Sequence, residues 1–139
     1  MKLIQSTLII LASLAVVSQT RVQTKMSWIT DANFEAKVSG TSKFGDKDDI
    51  VVVEFWADFN KANSFGDWGS LDVPYYRIDI AHAPVAKKKY RVRMAPTIII
   101  FKDGSKEVVF KAGLDLELPT DLKEINKAIK ELQKASAFE

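Results

Sequence analysis

The chain has 139 residues, with 20 Lys and Arg against 18 Asp and Glu, a formal net charge of +2 and 47% hydrophobic residues. That length and balance allow one globular domain with one core, and exclude a disordered chain or one whose net charge marks a nucleic-acid surface. There is no cysteine, so disulfides, thiolate nucleophiles, iron–sulfur clusters, cysteine-bearing zinc sites and cysteine-linked lipid anchors are excluded together.

At the amino terminus Lys2 precedes an apolar run, Leu8 to Val17, and then small and polar residues. This is the order of a secretory signal, with cleavage expected after Ser18. The run is short against the roughly 20 residues that cross a bilayer as a helix. The rival reading is an uncleaved anchor. The expected plan is therefore a signal over 1–18, a polar leader over 19–26, a domain over 27–134 and a tail over 135–139. An exported protein, periplasmic or extracellular, with no stable membrane anchor after cleavage is expected.

A small strand is expected at Ser27 to Ile29, and "TDANFEAKV" from Thr30 places cap-type residues before Phe34 and Val38, four apart, as in a short helix. "SGTSKFGDKDD" reads as a loop. Ile50 to Trp56 is a β-branched and aromatic run with Glu54 within it, the composition of a strand covered on both faces. "YYRIDI", Tyr75 to Ile80, is a second such strand. Pro84 then opens a short basic helix ending near Tyr90. Two apolar runs, Ile98 to Phe101 and Val108 to Phe110, flank Asp103-Gly104, which predicts a hairpin. Finally Leu122, Ile125, Ile129 and Leu132 share one helical face, with Asp121 and Glu124 placed for a capping box. Helices between strands imply parallel crossovers and an α/β fold, with the hairpin adding an antiparallel edge.

The stretches "VVVEFWA" and "RVRMAPTIIIFKDG", with the terminal amphipathic helix, resemble the thioredoxin family from about Trp28 to Leu132. The resemblance implies a three-layer α/β/α fold whose mixed central sheet ends in an antiparallel C-terminal hairpin and an amphipathic helix. It also implies a cis Ala95–Pro96 bond beside the redox pair. In the family, Phe-Trp-Ala leads two residues on into Cys-x-x-Cys; here the matching positions read Asn60-Lys61-Ala62-Asn63. An asparagine amide has no accessible anion near neutral pH, so it neither attacks a disulfide nor resolves one. The family's buried acid corresponds to Glu54, expected as a strand carboxylate bonded to a lysine or water. Asp79 follows Trp56 by 23 positions, a shorter separation than the family uses there. With Gly66 and Gly69 each costing a helix about 1 kcal/mol relative to Ala, a truncated or irregular element is expected.

The degenerate redox positions are Asn60 and Asn63. Candidate partner-binding residues around them are Phe59, Lys61, Ala62, Phe65, Trp68, Ala95 and Pro96, because aromatic side chains dominate interface energetics and the family docks peptides near that proline. For Phe65 and Trp68 the competing reading is core packing that closes the gap left by the short helix. His82 is the single histidine, and Asp46, Asp48 and Asp49 lack the glycine and glutamate of a calcium loop, so neither a metal nor a cofactor is expected. The Lys87–Lys89 run with Arg91 and Arg93 reads as a solvated basic face, and nucleic acid is not expected as a partner.

The expectation is an exported, non-catalytic thioredoxin-like module that binds another protein, as an assembly subunit or a chaperone-like holder. The alternative is a purely structural component of a larger assembly, using its outer surface and leaving the former active site unused.

Overall fold

The computed structural model describes residues 25–39 and 49–136. The expected signal segment, its cleavage point at Ser18, Asp46, Asp48 and residues 137–139 lie outside the described residues. The strands are β1 (Ser27–Ile29), β2 (Ile50–Trp56), β3 (Tyr75–Asp79), β4 (Thr97–Lys102) and β5 (Ser105–Lys111). The α-helices are α1 (Phe34–Val38), α2 (Pro84–Lys89) and α3 (Leu122–Ser136), with 3-10 turns at Asp58–Asn63, Asp67–Ser70 and Ile80–His82.

The sheet runs β1-β3-β2-β4-β5. β3 pairs parallel with both β1 and β2, whereas β4 runs antiparallel to β2 and to β5. The apolar run of β2, broken only by Glu54, is explained by its central place, because its two sets of alternate side chains enter two different cores. Val51, Val53 and Phe55 pack with Phe34, Val38, Ile99, Phe101 and the α2-side residues Ala86 and Tyr90. Ile50 and Val52 face the other way, onto Ile98, Ile100, Phe65, Tyr75 and the α3 residues Ile125 and Ile129. Glu54 belongs by alternation to this second face, which makes it a charge-bearing group within an apolar layer. The three layers and mixed sheet therefore match the fold expected from sequence.

The predicted elements form with small shifts that have local causes. The Asp103–Gly104 turn has positive φ at both residues, 50° and 81°, as a two-residue hairpin of this twist demands. β3 stops at Asp79 rather than Ile80 because the Asp79 carboxylate accepts the Ala81 N–H at 2.9 Å and starts a 3-10 turn. The capping box on α3 is half made. Asp121 accepts the Glu124 N–H at 2.8 Å, while the Glu124 carboxylate turns to the Thr120 hydroxyl at 2.9 Å.

Asp31 serves another helix than its own. Its two carboxylate oxygens accept the N–H groups of Val85 and Ala86, each at 2.9 Å, capping the first turn of α2 from 54 residues away. The other end of α2 closes as a Schellman motif, with Val92 N–H bonded to the Lys87 carbonyl at 2.9 Å and Arg91 N–H to Lys88 at 3.2 Å. The left-handed residue this motif requires, usually glycine, is Arg91 at φ 53°. A side chain there costs about 1 kcal/mol relative to glycine.

Candidate functional site

Two 3-10 turns, Asp58–Asn63 and Asp67–Ser70, replace a regular helix after β2, in line with the irregular element expected there. Within the first, Asn60 departs from helical geometry at φ −122°, ψ 23°, which aims its side chain across the sheet end. The Ala95–Pro96 bond is cis, as the resemblance implies. Asn60 Nδ2 donates to the Ala95 carbonyl at 2.8 Å and to the Leu116 carbonyl at 2.8 Å. Asn63 Nδ2 donates to the same Leu116 carbonyl at 3.0 Å and to Asn60 Oδ1 at 2.8 Å. Since two acceptors converge on Asn60 Nδ2, only this orientation of the amide avoids oxygen facing oxygen. The two positions expected for a redox pair thus hold a hydrogen-bonded clamp across three segments.

Leu116 has φ 58°, a left-handed conformation that a leucine keeps only where its surroundings fix it. The double acceptance at its carbonyl is that constraint, helped by Leu116 N–H bonding to Gly113 at 3.0 Å and Glu117 N–H to the Asp115 carboxylate at 3.1 Å. The same loop is tied at its start, where Ala112 N–H donates to the Pro96 carbonyl at 3.2 Å.

Below this clamp lies Glu54, fully buried. One of its oxygens, Oε1, accepts from Phe65 N–H at 3.1 Å, from Arg77 Nε at 3.2 Å and from the Tyr75 hydroxyl. The other, Oε2, has no partner among the described residues. Arg77 also donates through Nη2 to the Phe65 carbonyl at 2.7 Å. The cation on Glu54 is therefore an arginine where a lysine was expected, with a tyrosine hydroxyl and a backbone amide on the same oxygen. The register places Arg77 directly opposite Glu54 in β3, so the cation reaches the carboxylate along the sheet without crossing the core. Burial pushes the Glu54 carboxyl above its usual range, opposed by the Tyr75 hydrogen bond, the Arg77 charge and the Phe65 N–H. Burial, followed by the Glu54 charge, likewise raises Tyr75, which stays a neutral phenol.

The candidate partner-binding residues divide by exposure. Phe59, Lys61 and Ala62 are exposed on the first 3-10 turn, with Phe59 74% exposed. Phe65 is 1% exposed, stacked obliquely on Tyr75 and held at both backbone groups by Glu54 and Arg77, so it serves the core. Trp68 is half-buried against the second core, and Ala95 and Pro96 are buried. Asn60 and Asn63 are half-buried in the clamp. The sequence reading missed Leu116, whose part is played by a backbone carbonyl that no side-chain pattern marks. It also missed Leu114, 97% exposed two residues away. Arg77 could have been found, since a buried acid in β2 needs a donor and Arg77 is the one cation in β3. Among the described residues no group of three or more His, Asp or Glu side chains is arranged to hold a metal ion. His82 is exposed, 3.9 Å from Asp79.

No protein-family model matches the sequence, and no curated protein does. Solved structures do. Thioredoxin F from spinach chloroplast superposes with a TM-score of 0.60 at 18% identity, over 81% of this chain and 96% of that one. Schistosoma mansoni thioredoxin gives 0.59 at 20% identity, over 78% and 96%. A point-mutant thioredoxin from Halobacterium salinarum gives 0.58 at 17%, over 79% and 92%. The chain has the thioredoxin fold. Carrying no cysteine, this thioredoxin-like chain has no thiolate with which to attack a disulfide, and its Asn60 amide donors are already engaged with two carbonyls.

The clamp makes a graded prediction. Asn60→Ala leaves the Ala95 carbonyl without its donor and should lower stability by about 1–3 kcal/mol, the cost of an unsatisfied buried group. Asn60→Asp should cost more, because it sets an anion against two carbonyl oxygens. Urea titrations of the two variants beside the parent check this; equal midpoints for all three would refute the clamp.

Proposed function

We propose that this chain is an exported, non-catalytic thioredoxin-like module that binds another protein, as an assembly subunit or a chaperone-like holder. The carrying observation is that two large apolar side chains stand exposed on either side of one hydrogen bond. Phe59 precedes Asn60, and Leu114 lies two residues before Leu116, the acceptor that Asn60 holds. A clamped backbone presenting exposed apolar side chains loses little entropy on association, which suits a docking face. The absent sulfurs turn the fold away from electron transfer and leave that face for binding. The export part of the proposal rests on Lys2, the Leu8 to Val17 run and the small residues that follow.

A structural component held by its outer surface is the competing reading, and Trp28 favours it. This residue is 49% exposed on the edge strand β1, its ring 4.9 Å from Trp56 in an edge-to-face contact. Co-purification from the native source separates the two. Phe59→Ser should leave the melting temperature unchanged and weaken partner recovery about tenfold, a typical loss at an interface anchor. Recovery that survives Phe59→Ser and fails with Trp28→Ser would assign the outer edge instead.

A further inference from the structure

Beside the Ala95–Pro96 bond lies a groove of about 300 Å³ lined by Arg91, Arg93, Met94, Thr97, Lys111 and Ala112. Arg91 also lines a shallower hollow over α2 with Val85, Lys88 and Lys89, of which Lys89 is paired with Glu35. Among the described residues no acidic side chain pairs with Lys88, Arg91, Arg93 or Lys111. A chain whose net charge is only +2 therefore gathers along one track four cations that have no acidic partner among the described residues. Met94 and Ala112 supply apolar wall between the charges, as sites that take side chains do.

Arg91 supplies an independent observation. It occupies the left-handed position that ends α2, where glycine is the least strained residue. Its side chain is nevertheless placed there, at the junction shared by both hollows. Strain held at a surface residue points to use of its side chain outside the fold.

We infer that this track receives an extended acidic segment of a partner protein, with Arg91, Arg93 and Lys111 pairing with its carboxylates and Met94 contacting an intervening aliphatic side chain. No aromatic residue lines the groove to stack a base, and its volume holds a few side chains and no duplex, which favours peptide over nucleic acid. The inference rests on the protein-binding reading and names the chemistry of the partner.

Fluorescence anisotropy with a labelled short peptide of repeating Glu-Val-Glu-Ala tests it on the full chain, the same peptide with Gln for Glu serving as control. The Glu peptide should bind, weaken with added salt and exceed the Gln peptide. The double variant Arg93→Glu with Lys111→Glu should reduce affinity about tenfold, a loss expected for reversed rim charges. Arg91→Gly is the decisive variant: it should melt no lower than the parent and yet bind the peptide about threefold more weakly. Equal binding of Glu and Gln peptides, tighter binding of a thymidine oligonucleotide, or full affinity in Arg91→Gly and the double variant would each overturn the inference. Failure here with Phe59→Ser still losing the partner would sink the acidic groove alone; failure of both would sink the binding reading as well.

Discussion

Replacing Arg77 with methionine should destabilise the protein by about 3 kcal/mol at neutral pH, because it removes the cation from a fully buried carboxylate. The loss should shrink in acid. Glu54 has its carboxyl raised above the unfolded value by burial, so below the unfolded pKa it is neutral in both states and Arg77 matters least. As pH rises past that point the unfolded chain releases the proton first, and stability falls, by at most about 1.4 kcal/mol per pH unit, until the folded carboxyl also ionises. Without Arg77 the folded carboxyl is raised further, so the decline continues to higher pH and the gap between variant and parent widens. Urea titrations at several pH values from acid to neutral measure that gap. A difference independent of pH would contradict the assignment of Arg77 as the partner of Glu54. In parallel, Glu54→Gln should remove most of the slope, since an amide does not titrate in this range.

Phe34→Ala should be comparably severe, at about 3–5 kcal/mol, the usual cost of deleting a buried phenylalanine. Phe34 is 2% exposed and its ring meets Phe55, Tyr90 and Phe101 at centroid separations of 5.9, 5.2 and 5.7 Å. The same four-ring cluster closes on itself through Tyr90 and Phe101 at 5.2 Å. α1 is short, with Phe34 and Val38 as its buried residues, so the ring is also the main anchor of that layer. Small domains have total stabilities of only about 5–15 kcal/mol, so the variant should melt far below the parent. Phe34→Leu, which retains most of the volume, should cost about 1–1.5 kcal/mol. Equal losses for Ala and Leu would show that the cavity is not the cause.

The elements legible in the sequence were those whose signal is local. A β-branched and aromatic run broken only by Glu54 located β2, Asp103-Gly104 located the hairpin, and the spacing of Leu122, Ile125, Ile129 and Leu132 located α3. Each pattern states its own periodicity or turn chemistry. What escaped is carried by contacts distant in sequence. Asp31 stands beside α1 and caps α2, a role invisible until the topology brings the two together. Glu54 announced itself as a buried acid, yet its partners depended on the register of β3 against β2. Asn60 and Asn63 were located through Phe-Trp-Ala; their role as clamps depends on the backbone oxygen of Leu116, in a loop without a pattern. Phe59 and Phe65 look alike in sequence, and only the end of the first 3-10 turn sets one outward and the other into the core.

Hydrogen exchange of the Asn60 side-chain amide, with scalar couplings read across its hydrogen bonds, tests the clamp most directly. Both Nδ2 protons should exchange slowly, one coupled to the Ala95 carbonyl carbon and the other to that of Leu116. Exchange of the Asn60 amide at the rate of a free asparagine, with neither coupling present, would mean that nothing holds the face on which partner binding is proposed.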